Sequence, residues 1–271
     1  MKIKYILSFV IVLLICQTCF ASKEFPTRKI KVVVTSSHLS AIIKEICQDK
    51  IDVINLLSPS VCPSTYDVDA ATLKEASKAN IVMYHYWQKP WIKDLKQKIH
   101  QIGKVYREIK TEGNLMIPYI NLRAAEEIKE LFIVWDIENK DFYEENFVNY
   151  AYRINNISEE VSKNQALRYN KKVLCHIHIA DFLQWLGFTV VMKYNKQENI
   201  TAEEMKMLTK KAKTENVSIV VDNLQVGTDV GRVLSNDLKI KHAVISNFPL
   251  GNSYFLTLKD NISKIDKALQ Q

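Results

Sequence analysis

The stretch of sequence that decides the fold is NKDFYEENFVNYAYRINNISEEVSKNQALRY, Asn139 to Tyr169. It contains no Gly or Pro, and its apolar side chains recur at alternating spacings of four and three residues: Tyr143, Phe147, Tyr150, Ile154, Ile157 and Val161. This spacing predicts one long helix with a single apolar stripe. At 1.5 Å per residue the helix would run roughly 40 Å, about the length of a small domain.

Apolar β-branched runs alternate with helical patterns on both sides of this stretch. The predicted strands are 29–35, 51–57, 81–84 and 104–108 before it, and 172–177, 188–193, 218–222 and 243–245 after it. Alternating strands and helices are typical of parallel sheets flanked by helices. The sequence therefore predicts an α/β fold of two lobes, each with a parallel sheet, joined by one long linker helix.

The N-terminus reads as a secretory signal peptide. Lys2 and Lys4 precede an apolar run at 5–16, which is too short for an ordinary membrane span, and the small residue Ala21 follows at a plausible cleavage point. An uncleaved N-terminal anchor is the alternative. The predicted division of the chain is signal peptide 1–21, first lobe 22–136, linker helix 137–169 and second lobe 170–271.

The residues before the two leader cysteines do not suit lipid attachment. Cys16 follows Leu14-Ile15, and Cys19 follows Gln17-Thr18, whereas a lipid-bearing cysteine needs a small residue before it. We therefore expect a periplasmic protein that is free of a lipid anchor.

Charge and cysteine content narrow the function classes further. The net charge is +7, and removal of residues 1–21 takes away two lysines and no acids, leaving +5. The basic residues are spread along the chain, so we expect them to form a solvated surface and not a nucleic-acid site. We also expect a monomer. The three remaining cysteines, Cys47, Cys62 and Cys175, permit at most one disulfide.

Several fragments, taken in order, resemble the solute-binding proteins of zinc- and manganese-type ABC importers, which have the TroA-like metal-binding fold. They are KVVVTSSHLSAIIKEI, DVINLLSPSVCPSTYD, DAATLKEASKANIVMYH, YEENFVNYAYRI, VLCHIHIADFLQWLGF and the Pro249-Leu250-Gly251 turn. The resemblance covers essentially the whole mature chain. It implies two lobes with a metal held between them, and an ABC permease in the membrane as partner.

The usual metal ligands of that family are largely replaced in this chain. Ser64 and Tyr119 stand where the family has histidines, and Asn247 stands where it has an acid. His176, at the end of the first strand of the second lobe, matches the remaining ligand. Ser, Tyr and Asn are poor substitutes for imidazole and carboxylate at a divalent metal.

Other residues in the loops at the ends of the predicted strands could build a different site. Candidate ligands are Cys62, His38, His85, His176 and His178, and Asp222 is a candidate acceptor that orients an imidazole. Thiolate and imidazole together favour copper(I), zinc or nickel over manganese. The family resemblance makes zinc the first expectation for the bound metal. The alternative is that the protein binds no metal. His100 and His242 lie outside the loops that are predicted to line the cleft between the lobes, and we assign them no role.

Three classes of function are open at this point. The first is a binding protein that delivers a transition metal, or a chelated or organic ligand, to an ABC permease. The second is a relative that has lost its ligand and serves as a structural or interaction module. The third is an enzyme, which the sequence disfavours. Cys175 and His176 are adjacent on a strand and face opposite ways, so they cannot form a nucleophile–base pair.

Overall fold

The computed structural model describes residues 29–61, 69–98, 104–196 and 199–270. The predicted signal peptide and the loop that carries Cys62 and Ser64 lie outside these ranges. The first lobe contains β1 (Ile30–Val34), α1 (Ser37–Cys47), β2 (Ile51–Asn55), α2 (Ala70–Ser77), β3 (Ile81–His85), α3 (Lys89–Lys98), β4 (Val105–Ile109) and α4 (Pro118–Trp135). The long helix α5 (Lys140–Lys163) follows. The second lobe contains β5 (Lys172–His176), α6 (Ala180–Trp185), β6 (Thr189–Tyr194), α7 (Ala202–Thr214), β7 (Ile219–Asn223), α8 (Asp229–Leu238), β8 (Lys241–Ile245) and α9 (Tyr254–Gln270).

The two lobes carry sheets of the same design. Their strand orders are β2-β1-β3-β4 and β6-β5-β7-β8, and every strand pair is parallel. The central strands are apolar runs, such as IKVVV in β1, because both of their faces are covered by helices. This arrangement confirms the predicted fold class.

The helices form a layer between the sheets and a layer outside each of them. One core cluster joins the inner faces of both sheets to α1, α4, α5 and α9. The outer face of the first sheet packs against α2 and α3, and that of the second against α7 and α8. Among the described helices, none combines the length and apolar character that a membrane span requires.

The long helix has the predicted stripe but ends earlier than predicted. Five of its six stripe residues are buried, and Phe147 packs partly buried against the same core. The helix ends at Lys163, because side chains after it take over its last carbonyl groups. Asn164 Nδ2 donates to Glu160 O at 2.9 Å, and the buried Arg168 guanidinium donates to Val161 O at 3.2 Å.

Side chains cap two of the helix starts. Asp69 accepts a hydrogen bond from the Thr72 backbone N–H at 2.6 Å at the start of α2. Thr201 and Glu204 form a capping box at the start of α7, each accepting from the backbone N–H of the other. These caps fix where the helices begin relative to the strand ends that carry the site.

Candidate functional site

The strand ends of both lobes meet at one cavity of about 400 Å³. Ligands of open parallel sheets bind beyond the carboxyl ends of the strands, and this cavity lies there. Its polar lining includes His38, His85 and Asn114 from the first lobe and His178, Gln225 and Asn247 from the second. Tyr86, Trp87 and Phe248 add aromatic surface.

His38 is held in one tautomer by the opposite lobe. The sequence predicts a loop at this position, but His38 is the second residue of α1, because Ser36 caps the helix by accepting from the Leu39 N–H. Its Nε2 lies 2.8 Å from the carbonyl oxygen of Asn247. A carbonyl can only accept, so Nε2 carries the proton and Nδ1 keeps its lone pair. Nδ1 is buried and has no hydrogen-bond partner.

His85 lies beside it at the end of β3. Its Nε2 is 2.7 Å from Ser36 Oγ, its Nδ1 is buried without a partner, and its ring stacks on Trp87. The centroids of the His38 and His85 rings are 6.5 Å apart. Burial lowers the pKa of His38 to about 4, against the opposing effect of the Asn247 carbonyl. Burial, and then the neighbouring His38, lower the pKa of His85 to about 3. Both rings are neutral at pH 7.

His176, the residue that matched the family position, faces a different space. Its Nδ1 accepts from the His178 backbone N–H at 3.2 Å, so the proton of the neutral ring lies on Nε2. Burial, together with His178, lowers its pKa to about 4. It lines a smaller cavity of about 100 Å³ with Tyr194 and Asp222, while His178 lines the large one. In this arrangement His176 acts as a cap on the turn that leads into α6.

Asp222, the predicted acceptor for a ligand imidazole, contacts the imidazole of His242, which was not among the candidate ligands. Asp222 Oδ2 lies 2.7 Å from His242 Nε2, and Oδ1 accepts from Tyr194 OH at 2.7 Å. His242, which received no role from the sequence, therefore belongs to this hydrogen-bonded group. The pairing arises because β7 and β8 are neighbours, with Val220 opposite His242 in the register.

The positions where the family usually has metal ligands are used differently here. Tyr119 is the second residue of α4, and 58% of its surface is exposed. Asn247 does line the large cavity, and its Oδ1 accepts from Asn114 Nδ2 at 2.8 Å. Ser64 and Cys62 lie outside the described residues.

Asn114 and Gln225 are not among the candidate residues that the sequence suggests. Gln225 follows β7, and Asn114 follows Gly113 after β4. Their position at carboxyl ends of predicted strands was the available signal. Their amide chemistry gave none, because Asn and Gln in such loops more often make local turns.

Buried polar atoms without partners concentrate at one edge of the first sheet. Of the seven such side-chain atoms among the described residues, five lie at or just beyond the carboxyl ends of β2, β1 and β3: Asn55 Oδ1, Ser37 Oγ, His38 Nδ1, His85 Nδ1 and Gln88 Nε2. Buried polar groups are ordinarily hydrogen-bonded, so such a cluster calls for an explanation. Within the described part of the chain, however, no three His, Cys, Asp or Glu side chains are grouped closely enough to hold a metal ion.

The two described cysteines do not contribute to either cavity. Cys47 and Cys175 are free and fully buried in the core. Burial raises the pKa of Cys175 to about 12 and that of Cys47 above its ordinary range, so both are protonated thiols at neutral pH. Since metals bind the thiolate, neither is a ready ligand.

Curated relatives match along nearly the whole chain. The manganese ABC transporter substrate-binding lipoprotein PsaA of Streptococcus anginosus is 23% identical over 93% of this chain and 94% of its own length. The iron ABC transporter substrate-binding lipoprotein MtsA of Streptococcus pyogenes serotype M1 is 23% identical over 95% and 94%. Both are named lipoproteins, which contradicts in part our prediction of an exported protein without a lipid anchor. That prediction weighed only the residues directly before Cys16 and Cys19.

Solved structures share the fold. The crystal structure of ZnuA covers 89% of this chain and 99% of its own, with a TM-score of 0.76 and 20% identity. The nickel complex of FpvC from P. aeruginosa gives a TM-score of 0.74 at 13% identity, covering 90% of this chain and 97% of its own.

The family profile described as ZnuA, the periplasmic component A of a zinc-uptake complex, matches residues 32–268. This match spans both sheets, the long helix between them and the cavity at the strand ends. The chain therefore belongs to the ZnuA family, the solute-binding proteins of metal-type ABC importers.

Proposed function

We propose that this protein captures a transition metal ion outside the cytoplasmic membrane and delivers it to the permease of an ABC importer, with the cargo bound at the carboxyl edge of the first sheet. The observation that carries the proposal is the cluster of unpartnered buried polar atoms at that edge, which includes Nδ1 of both His38 and His85. A bound cation would give these nitrogen atoms the partner that they lack in the protein alone.

His38 has the hydrogen-bonding pattern of a metal-bound histidine. Such a histidine almost always donates its other ring N–H to a carboxylate, a backbone carbonyl or water, which fixes its tautomer. His38 donates from Nε2 to the Asn247 carbonyl and leaves Nδ1 for the cargo. His85 supports it from 6.5 Å away, centroid to centroid, and is also neutral. Two imidazoles on one tetrahedral metal, with metal–nitrogen bonds of about 2.0 Å, have centroids roughly 5 Å apart, so the two rings would have to move closer by roughly 1 Å to share a metal.

The donor chemistry favours a metal with affinity for nitrogen and sulfur. Cys62, in the loop after β2, is the proposed thiolate ligand, and His178 the proposed imidazole from the second lobe. The names of similar proteins span manganese, iron, zinc and nickel, so family membership alone does not choose the metal. Imidazole and thiolate favour zinc, nickel or copper(I) over manganese, with zinc first by family resemblance.

His176 ranks below His38 as a ligand in this proposal. To bind a metal through Nε2, its neutral ring would have to move the proton to Nδ1 and give up the hydrogen bond from the His178 N–H. The proposed exported protein consists of residues 22–271, with lobes 22–136 and 170–271 joined by 137–169. It acts as a single copy and has no nucleic-acid partner.

Thermal unfolding of the mature protein with zinc, nickel, manganese or copper(I) tests this proposal. A metal at one hundred times its Kd stabilises the folded state by about 2.7 kcal/mol, which corresponds to a melting shift of roughly 5–10 °C for a chain of this size. We expect a shift of this order with one nitrogen- and sulfur-preferring metal, its loss in His38→Ala and Cys62→Ser, and its retention in His176→Ala. A shift that survives in His38→Ala but disappears in His176→Ala would overturn the assignment.

A chelated metal or a small organic solute is the second candidate, and the cavity itself favours it. Its volume of about 400 Å³ lies within the usual range for small-molecule sites, and Trp87, Tyr86 and Phe248 provide ring surfaces. The protein purified without added metal would then carry an organic molecule, visible by native mass spectrometry and lost in Trp87→Ala. A spectrum of the bare chain, with bound metal alone after loading, would refute this candidate.

A further inference from the structure

Asn247 makes three hydrogen bonds, and two of them connect the lobes. Its backbone N–H donates to Gln225 Oε1 at 2.9 Å, within the second lobe. Its carbonyl accepts from His38 Nε2 at 2.8 Å, and its side-chain Oδ1 accepts from Asn114 Nδ2 at 2.8 Å. His38 and Asn114 both belong to the first lobe, so this one residue joins two elements across the cavity.

The residues that hold Asn247 are themselves held. Asn114 Oδ1 accepts from the Met116 N–H at 2.8 Å, and its Nδ2 also donates to the His178 carbonyl at 2.9 Å. Gln225 Nε2 donates to Pro59 O at 2.8 Å, at the start of the loop that leads toward Cys62. The three amide side chains therefore form one network around the cavity, and each is buried or half-buried.

The network decides which nitrogen of His38 is free. Because the Asn247 carbonyl accepts from Nε2, the lone pair lies on Nδ1. A shift of this carbonyl would leave the imidazole free to exchange tautomers or to turn its ring. The residue that carries this carbonyl is held by Gln225, which accepts from its backbone N–H, and by Asn114, which donates to its side-chain oxygen.

We propose that Asn247 is a positioning residue for the cargo: held by Asn114 and Gln225, it fixes His38 as the Nε2–H tautomer and keeps Nδ1 available. This role deepens the proposed function and rests on it. It also gives a use to the amide that stands where the family resemblance implies an acid. Its oxygen is occupied by Asn114, so the side chain contributes a contact between lobes and not a bond to the metal.

The test uses Asn247→Ala, which removes the acceptor for Asn114, and Asn247→Asp, which keeps an oxygen acceptor at the same place. Two readouts are needed: the imidazole nitrogen shifts of His38 by NMR in the metal-free protein, and the affinity for zinc and for copper(I), each alone, against a chromophoric chelator. We expect Nε2–H in the wild type and in Asn247→Asp, and a mixture of tautomers in Asn247→Ala. Affinity in Asn247→Ala should fall about tenfold, as for other groups that orient a metal-bound histidine. Asn114→Ala, which removes the donor instead, serves if Asn247→Ala does not fold.

The alternative outcomes separate two failures. If Asn247→Ala melts at a lower temperature but keeps both the tautomer and the affinity, the residue is merely structural and the positioning role is overturned. The NMR readout needs no cargo. A wild-type protein that binds neither zinc nor copper(I), and that nickel does not stabilise in thermal unfolding, therefore refutes the proposed function but leaves the tautomer assignment testable. A wild-type His38 with its proton on Nδ1 would overturn the positioning role outright.

Discussion

Acidification should destabilise the metal-free protein, because buried histidines such as His38 and His85 take up protons more readily in the unfolded chain. His38 and His85 have pKa values of about 4 and about 3, below the ordinary value of about 6.5 for an unfolded chain. A histidine whose pKa is lowered by folding contributes its full stability above pH 6.5 and loses it as the pH falls toward the folded value. As the pH falls from 7 to 5, each of these histidines comes to bind nearly one more proton in the unfolded chain than in the folded protein. Each therefore lowers the free energy of unfolding by about 2 kcal/mol. Together His38 and His85 cost about 4 kcal/mol, a large part of a typical 5–15 kcal/mol. His176, whose pKa is also lowered to about 4, adds a loss in the same direction that a variant changed only at His38 and His85 keeps.

Urea unfolding at pH 7, 6 and 5, followed by circular dichroism without metal, measures this loss. The double variant His38→Gln/His85→Gln is expected to start less stable at pH 7 and to lose about 4 kcal/mol less than the wild type on going to pH 5. A wild-type free energy of unfolding that is flat between pH 7 and pH 5 would refute the reasoning. So would an equally steep loss in the double variant, because other groups would then carry the dependence.

Two further substitutions probe the parts of the fold that support the cavities. Tyr150→Phe removes the hydroxyl that donates to Asn121 Oδ1 in the buried contact between α5 and α4, so it should cost about 1–3 kcal/mol in urea unfolding. A free energy of unfolding equal to that of the wild type would show that the bond contributes nothing. Gly231→Ala would place a methyl group against Asp222 Oδ2 and His242 Nε2 and should cost about 1–3 kcal/mol. It should also shift the His242 ring resonances in NMR, and unchanged resonances with unchanged stability would contradict the packing.

The fold could be predicted from the sequence because its signals are local and agree with one another. The β-branched runs, the helix caps and the stripe on α5 each follow from neighbouring residues, and alternating strands and helices leave few topologies. The end of α5 could not be predicted, since it depends on a distant contact. Arg168 donates to the Val161 carbonyl at the end of the helix, and its guanidinium also pairs with Asp266 on α9, at the far end of the chain.

The site was predictable only as a set of loops. His38, His85 and His178 do line one cavity, because strand ends of a parallel sheet share an edge. Which nitrogen each imidazole offers depends on contacts between distant segments, such as His38 with Asn247. For the same reason the sequence could match His176 to a family ligand position, but could not show that its Nδ1 accepts from the His178 N–H in the turn that follows.

The most direct test of the account is elemental analysis of residues 22–271 after anaerobic equilibration with a mixture of manganese, zinc, nickel and copper(I). The account predicts about one equivalent of a single nitrogen- and sulfur-preferring metal in the wild type and in His176→Ala, and none in His38→Ala or Cys62→Ser. No retained metal in the wild-type protein, or a metal lost only in His176→Ala, would contradict it.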